Sequence, residues 1–162
     1  MVIVVDDFLD KDVFEELSSV ICSDNFPVFY QPHITMKEKD EVDHLVFTHT
    51  TYRNGSPQSE FFEWIFTYLL SQLDIKELIR SKVNCYPRTD KIVTHGWHKD
   101  FEFSHKSSLL CLNTCNGQTQ FKTGEKVDSV KNRMILFDAS QLHRSTSCTD
   151  QRCRWNIVTN FT

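Results

Sequence analysis

The sequence predicts a mainly β protein with buttressing helices, an α+β arrangement around a β-barrel-like or sandwich core. Three observations carry this. From about residue 83, short runs of alternating apolar and polar residues follow one another, separated by turn residues. Upstream, two stretches repeat apolar residues at helical spacing instead. The chain has 162 residues, 40% hydrophobic and 25% charged, with no internal repeat or linker, which fits one domain with its own core. That domain is expected to span residues 1–162, with a helical and lid part over about 1–80 and the β core over about 82–162.

Taken in order, Val2 to Val5 reads as a short buried strand. A helix follows, capped by Asp10 or Asp12, with Val13, Phe14, Leu17 and Val20 on one face. Asn25-Phe-Pro27 breaks it, and Val28 to Tyr30 reads as a strand. Residues 32–43 are polar and aperiodic and read as an exposed loop or lid. Leu45 to Tyr52 is β-branched and aromatic, either a strand or an irregular segment, and Arg53 to Pro57 is a turn. Ser59 opens an amphipathic helix with Phe62, Ile65, Phe66, Leu69, Leu70 and Leu73 on one face, read as a core helix packed on a sheet. The strands expected after it are 82–86, 91–98, 107–113, 119–122, 126–130, 133–137 and 152–161, with tight turns at Asn116-Gly117 and Thr123-Gly124.

The formal net charge is -4, so no global basic field argues for nucleic acid, and no basic patch with interleaved aromatics is evident. The N-terminus lacks the basic and apolar regions of a signal peptide, and no run approaches the roughly 18 apolar residues of a membrane span. A cytoplasmic chain with no membrane partner is therefore expected, and its six cysteines are expected to be reduced. Cys111, Cys115, Cys148 and Cys153 form a loose set for zinc; small buried hydrophobes are the plainer reading.

The chemistry centres on His98-Lys99-Asp100. In an extended strand, residues two apart share a face, so one imidazole and one carboxylate reach the same point. His143, in Gln141-Leu-His-Arg144, is the candidate third ligand. Two His and one carboxylate leave open positions on an octahedral ion, the facial arrangement of non-haem Fe(II) oxygenases. Further on, Arg152 and Arg154 share a face of the last expected strand. An inward guanidinium there needs an anionic partner, either a protein carboxylate or a dicarboxylate cosubstrate bound by two parallel hydrogen bonds.

Asn84-Cys-Tyr-Pro87, His98-Lys-Asp100, Leu112-Asn113, Gly117-Gln-Thr-Gln-Phe121, Asn132-Arg-Met-Ile-Leu-Phe-Asp138, His143 and the Arg-bearing last strand, in that order, resemble the Fe(II)- and 2-oxoglutarate-dependent dioxygenases. The resemblance is to the small prolyl-4-hydroxylase-like members and covers roughly the C-terminal half; Val5-Asp-Asp-Phe-Leu9 before a helix is similar too. It implies a double-stranded β-helix, a jelly-roll or cupin-like core. It implies His98, Asp100 and His143 as Fe(II) ligands, with 2-oxoglutarate and O2 as cosubstrates and ascorbate as reductant. Arg154 or Arg152 would bind the distal carboxylate of 2-oxoglutarate. The two lie eleven and nine residues past His143, and Arg154 better matches the family's Arg-aromatic-small-aliphatic run. Tyr86 matches a tyrosine that contacts the cosubstrate. The residue before Leu112-Asn113 departs from the pattern: it is Cys111 where a tyrosine often assists the arginine. Asp100 speaks against a halogenase, which lacks this carboxylate.

The implied reaction is hydroxylation of a substrate C–H with release of succinate and CO2, acting on a prolyl residue of a peptide or protein. A free amino acid or small metabolite is the alternative, and a non-catalytic β-barrel metal-binding module the alternative of another class. The polar stretch 32–57 would be the lid over a peptide groove. His95 and Trp97 are weak substrate-contact candidates, against a satisfied histidine and wall packing. Arg133 is expected on a structural carboxylate, and Asp138 in the turn before His143.

Overall fold

The computed structural model describes residues 1–34 and 44–162. Its strands are β1 (Val2–Val5), β2 (Phe29–Gln31), β3 (Val46–Arg53), β4 (Ser56–Pro57), β5 (Leu78–Pro87), β6 (Lys106–Cys111), β7 (Cys115–Phe121), β8 (Lys126–Ser129), β9 (Met134–Asp138), β10 (His143–Ser145) and β11 (Cys153–Phe161). The helices are α1 (Lys11–Ile21) and α2 (Phe61–Tyr68), the latter followed by a short 3-10 turn, Leu70–Gln72.

Eight strands form one large sheet in the order β1-β9-β6-β11-β5-β3-β2, with β4 paired to β3; β10-β7-β8 form a small one. All ladders are antiparallel. Period-two alternation explains how both faces of the large sheet are filled. On one face Leu109, Cys111, Ile135, Phe137 and Val158 meet Phe121 and Val127 of the small sheet. On the other, Val83, Leu110, Met134 and Ile157 meet Phe14, Leu17 and Ile21 of α1 and Phe62, Ile65, Leu69 and Leu70 around α2. Helices on one face and a second sheet on the other make a double-stranded β-helix.

Several expectations are corrected. The segment 91–98 is not a strand. It meets β10 and the residues just after it through isolated bridges, His98 to His143 and Thr94 to Thr146, and through the His95 N–H on Ser145 O, so it borders the small sheet without a continuous ladder. Val2–Val5 is a strand but mostly exposed, because an edge has a neighbour on one side only. Of the two readings of Leu45 to Tyr52 the strand is the one that forms, Val46–Arg53 between β2 and β5, so this part of the expected lid belongs to the large sheet; residues 35–43 of the expected lid lie outside the described residues. Val20 and Phe66 face solvent, and Ile21 takes the core place at the end of α1. Gly117 lies inside β7, beside a register shift, and not in a turn. Two expected turns do form: Asn54 and Gly55 adopt positive φ (54° and 75°) between β3 and β4, and Gly124 adopts 110° between β7 and β8.

Candidate metal centre

One face of β5 carries Arg80, Lys82, Asn84 and Tyr86, and one face of β11 carries Arg154, Asn156, Val158 and Asn160. The two strands are in register, with Arg154 opposite Tyr86 and Asn160 opposite Arg80. His98 and Asp100 come from the segment before β6, and His143 opens β10. His98 and His143 are fixed to each other by reciprocal backbone bonds, N–H of each to C=O of the other at 3.0 Å. The backbone thus sets the two imidazoles side by side, ring centroids 4.6 Å apart.

The ligand atoms of His98, Asp100 and His143 lie within 4.8 Å of one another. Each imidazole has Nδ1 against a backbone carbonyl, Gly96 O at 3.1 Å for His98 and Gln141 O at 3.0 Å for His143. A carbonyl only accepts, so both Nδ1 atoms carry a proton and Nε2 is the atom each ring has left for a ligand role. The His143 Nε2 atom is 3.8 Å from Asp100 Oδ2. Burial, then the neighbouring His143, push His98 down to about 4, so it is neutral near pH 7.

Asp100 is held from behind. Arg80 Nη2 donates to Oδ1 at 2.7 Å, and Asn160 Nδ2 donates to Oδ2 at 2.8 Å. Arg80 Nε also donates to Asn160 Oδ1 at 3.0 Å, which closes the network. Burial works to raise the Asp100 carboxyl, but Arg80, Lys82, His143 and the Asn160 hydrogen bond outweigh it and hold it well below the usual carboxylate range. Two imidazoles and one ionised carboxylate, each oriented by an outer partner, are a donor set suited to a divalent transition ion.

The three residues line a cavity of about 40 Å³ with Lys82, Asn84, Tyr86, Leu109, Thr119, Phe137, Arg144, Ser145 and Val158. Burial, and next the Arg80 charge, push the partly exposed Lys82 ammonium down to about 8. Arg154 lies at the back with 0% of its surface exposed. Its Nη1 donates to Thr146 O at 3.1 Å and its Nη2 to Thr119 Oγ1 at 2.8 Å, and its guanidinium is 5.7 Å from the Tyr86 ring centroid. Its Nε has no partner, and among the described residues no carboxylate pairs with it. A buried guanidinium left in that state is a place for an anion.

The other expected residues separate. Arg152 does not share the face of Arg154: it precedes β11 and is exposed, because the ladder begins at Cys153. His95 is buried, its Nδ1 2.7 Å from Ser145 Oγ and its ring stacked on Tyr86 at 5.5 Å; it lines a neighbouring cavity of about 120 Å³ and not the metal site. Trp97 is half-buried beneath two cations, Arg144 at 4.1 Å and Lys122 at 4.9 Å from its ring centroid. Arg133 pairs with Asp6, and Asp138 accepts bonds from Ser140 and Gln141 in the turn before His143. Of the four cysteines read as a loose zinc set, Cys115 and Cys148 meet, with Asp150 rather than Cys111 or Cys153. Both Asp150 oxygens already accept from the Asn116 N–H.

Sequence reading missed Arg80, Lys82, Asn84 and Asn160. The available signal was parity: each lies an even number of residues from Tyr86 or Arg154 on its strand.

The fold is that of solved 2-oxoglutarate–Fe(II) oxygenases. A prolyl hydroxylase from Trichoplax adhaerens, solved with a hypoxia inducible factor oxygen degradation domain peptide fragment, matches with a TM-score of 0.68 at 16% identity, covering 99% of this chain and 83% of that one. A Pseudomonas putida prolyl-4-hydroxylase matches with a TM-score of 0.63 at 14% identity, over 99% and 91%. The non-heme alpha ketoglutarate dependent epimerase SnoN from nogalamycin biosynthesis matches with a TM-score of 0.67 at 11% identity, over 99% and 77%. No protein-family model and no curated protein sequence matches the chain.

Proposed function

We propose that this protein is an Fe(II)- and 2-oxoglutarate-dependent dioxygenase that hydroxylates a prolyl residue of a peptide or protein. The observation that carries the reading is the triad: two imidazoles and one carboxylate bring a ligand atom each within 4.8 Å of one another, with Nδ1 of both rings against a backbone carbonyl. His98, Asp100 and His143 hold the iron, and Arg80 and Asn160 keep the Asp100 carboxylate ionised and oriented. Arg154 pairs with the distal carboxylate of 2-oxoglutarate; its unpartnered Nε and its lack of a carboxylate among the described residues fit that role. Tyr86 and Thr119 flank the same place, and Arg152, exposed, takes no part. Leu109, Phe137 and Val158 make an apolar wall that limits water at the reacting centre. When bound, iron and 2-oxoglutarate supply the oxidising chemistry, with O2 as oxidant, succinate and CO2 as products, and ascorbate keeping the metal reduced.

The prolyl substrate is supported by the prolyl hydroxylases of the same fold. The epimerase of that fold favours a second reading, a small-molecule substrate. The test is succinate formation from 2-oxoglutarate by purified protein with Fe(II) and ascorbate, with and without a proline-rich peptide. Peptide-stimulated succinate supports prolyl hydroxylation, and basal succinate unmoved by peptide supports a small molecule. No succinate and no iron binding would leave a non-catalytic module.

A further inference from the structure

The cavity wall carries more positive charge than its own acids balance. Among the described residues Asp100 is the only acid lining it, and Arg80 already pairs with that carboxylate. Lys82 and Arg144 also line it, and the buried Arg154 lies behind, bonded to the lining residue Thr119. An Fe(II) ion and a 2-oxoglutarate dianion cancel each other, so the excess remains with both in place. The chain as a whole is acidic, at -4, so the excess here is not the overall charge showing through.

At the rim the excess takes a defined shape. Arg144 follows His143 directly. Its Nε donates to Gln120 Oε1 at 2.9 Å, and its guanidinium lies 4.1 Å from the Trp97 ring centroid. Lys122 Nζ lies 4.9 Å from the same centroid. Among the described residues neither cation has a carboxylate partner. Two like charges held over one ring without a carboxylate are left unneutralised, and an anion that reaches them relieves that. The Gln120 bond and the Trp97 ring hold the Arg144 fork in place, so part of the ordering cost of binding is already met.

We infer that Arg144 and Lys122, clamped on Trp97 beside the metal ligands, bind a carboxylate of the substrate close to the carbon that reacts. The inference deepens the oxygenase reading and rests on it for the word substrate. The carboxylate has two possible sources, an acidic side chain next to the target residue of a peptide, or the main-chain carboxylate of a free amino acid. A nucleic-acid phosphate fits less well, because two rim cations make no extended track for a backbone.

Fluorescence anisotropy on protein loaded with Zn(II), which is redox-inert, and 2-oxoglutarate reads the site without turnover. Three labelled peptides share a central proline and differ in Glu, Gln or Lys on either side. The Glu peptide is expected to bind about tenfold or more tighter than the Gln peptide at low salt. Arg144→Ala and Lys122→Glu should each remove that preference, and Arg144→Lys should keep part of it. If the source is a free amino acid, proline displaces the probe at concentrations where prolinamide does not, and Arg144→Ala removes that difference. Equal binding of the three peptides together with equal competition by proline and prolinamide overturns the inference. So does a preference that survives both charge variants, or a single-stranded oligonucleotide that outcompetes the Glu peptide. Zn(II) and 2-oxoglutarate binding are measured on the same samples. Their loss with the charge preference intact sinks the oxygenase reading alone, and the reverse sinks the carboxylate site alone.

Discussion

Gly117→Ala puts the architecture behind Arg154 to a test of sign. A Cβ at Gly117 would lie 2.7 Å from Arg154 Cδ and 2.8 Å from Ser147 O. Gly117 is not among the positive-φ glycines, which are Gly55 and Gly124, so alanine meets no backbone strain there. Without a clash, the substitution would stabilise by about 0.4–1 kcal/mol through the unfolded chain. With it, overpacking costs about 1–3 kcal/mol. Ser147 O is backbone and Cδ is mid-stem in a fully buried arginine, so neither yields easily and the clash wins. Displacing the guanidinium from Thr119 and Thr146 also spoils its two-point grip on a carboxylate. A charged hydrogen bond is worth about 1.5–3 kcal/mol, so 2-oxoglutarate should bind about 10- to 150-fold more weakly. Thermal unfolding and calorimetric titration of 2-oxoglutarate into Zn(II)-loaded protein measure the two effects separately. A raised Tm with unchanged affinity would refute the reasoning, since it would mean that the Arg154 stem does not pass over Gly117.

Asp100→Ala should abolish Fe(II) binding and 2-oxoglutarate turnover while the protein stays folded, read by metal titration and circular dichroism; retained iron at wild-type affinity would remove Asp100 from the ligand set. Arg154→Ala should raise the apparent KM for 2-oxoglutarate by about 10-fold or more, because the distal carboxylate loses its partner in a water-poor site; if only Arg152→Ala does so, the last strand has been read in the wrong register. Burial first, then His44 and Arg154, push His95 down to about 3. A histidine whose folded pKa lies below its unfolded value contributes stability that is present above about 6.5 and lost as pH falls toward 3, at about 1.4 kcal/mol per pH unit. Metal-free protein should therefore lose urea resistance over that window, and His95→Gln should flatten the loss; parallel pH profiles for the two proteins would contradict it.

The triad was legible because its residues are chemically rare in that pattern and two of them are adjacent but one. The strands of the core were legible because each has one apolar face. What failed has physical reasons. Segment 91–98 alternates like a strand, yet it meets β10 through discrete bridges rather than a ladder, and pairing depends on a partner that the local sequence does not name. Asn116-Gly117 has the composition of a turn, but the glycine is there because an arginine stem from β11 crosses it. Arg152 and Arg154 have the same parity, and only the point where the ladder begins separates them. Asp100 and Asn160 lie far apart in sequence, and no local pattern announces the hydrogen bond that joins them.

Strand β11 lies between β5 and β6 in the large sheet and follows both in sequence. During synthesis, β5 and β6 therefore leave the ribosome before the strand that separates them exists. Two neighbouring edges must wait, unpaired, for a central strand, and such edges recruit other chains. The strand that completes the sheet also brings Arg154 and Asn160, so a nascent chain has His98, Asp100 and His143 before it has the amide that joins Asp100 to β11 or the buried guanidinium beside the site. A chaperone that shields open strands, or slow addition of iron during expression, should raise the yield of active protein more than any change of a surface residue.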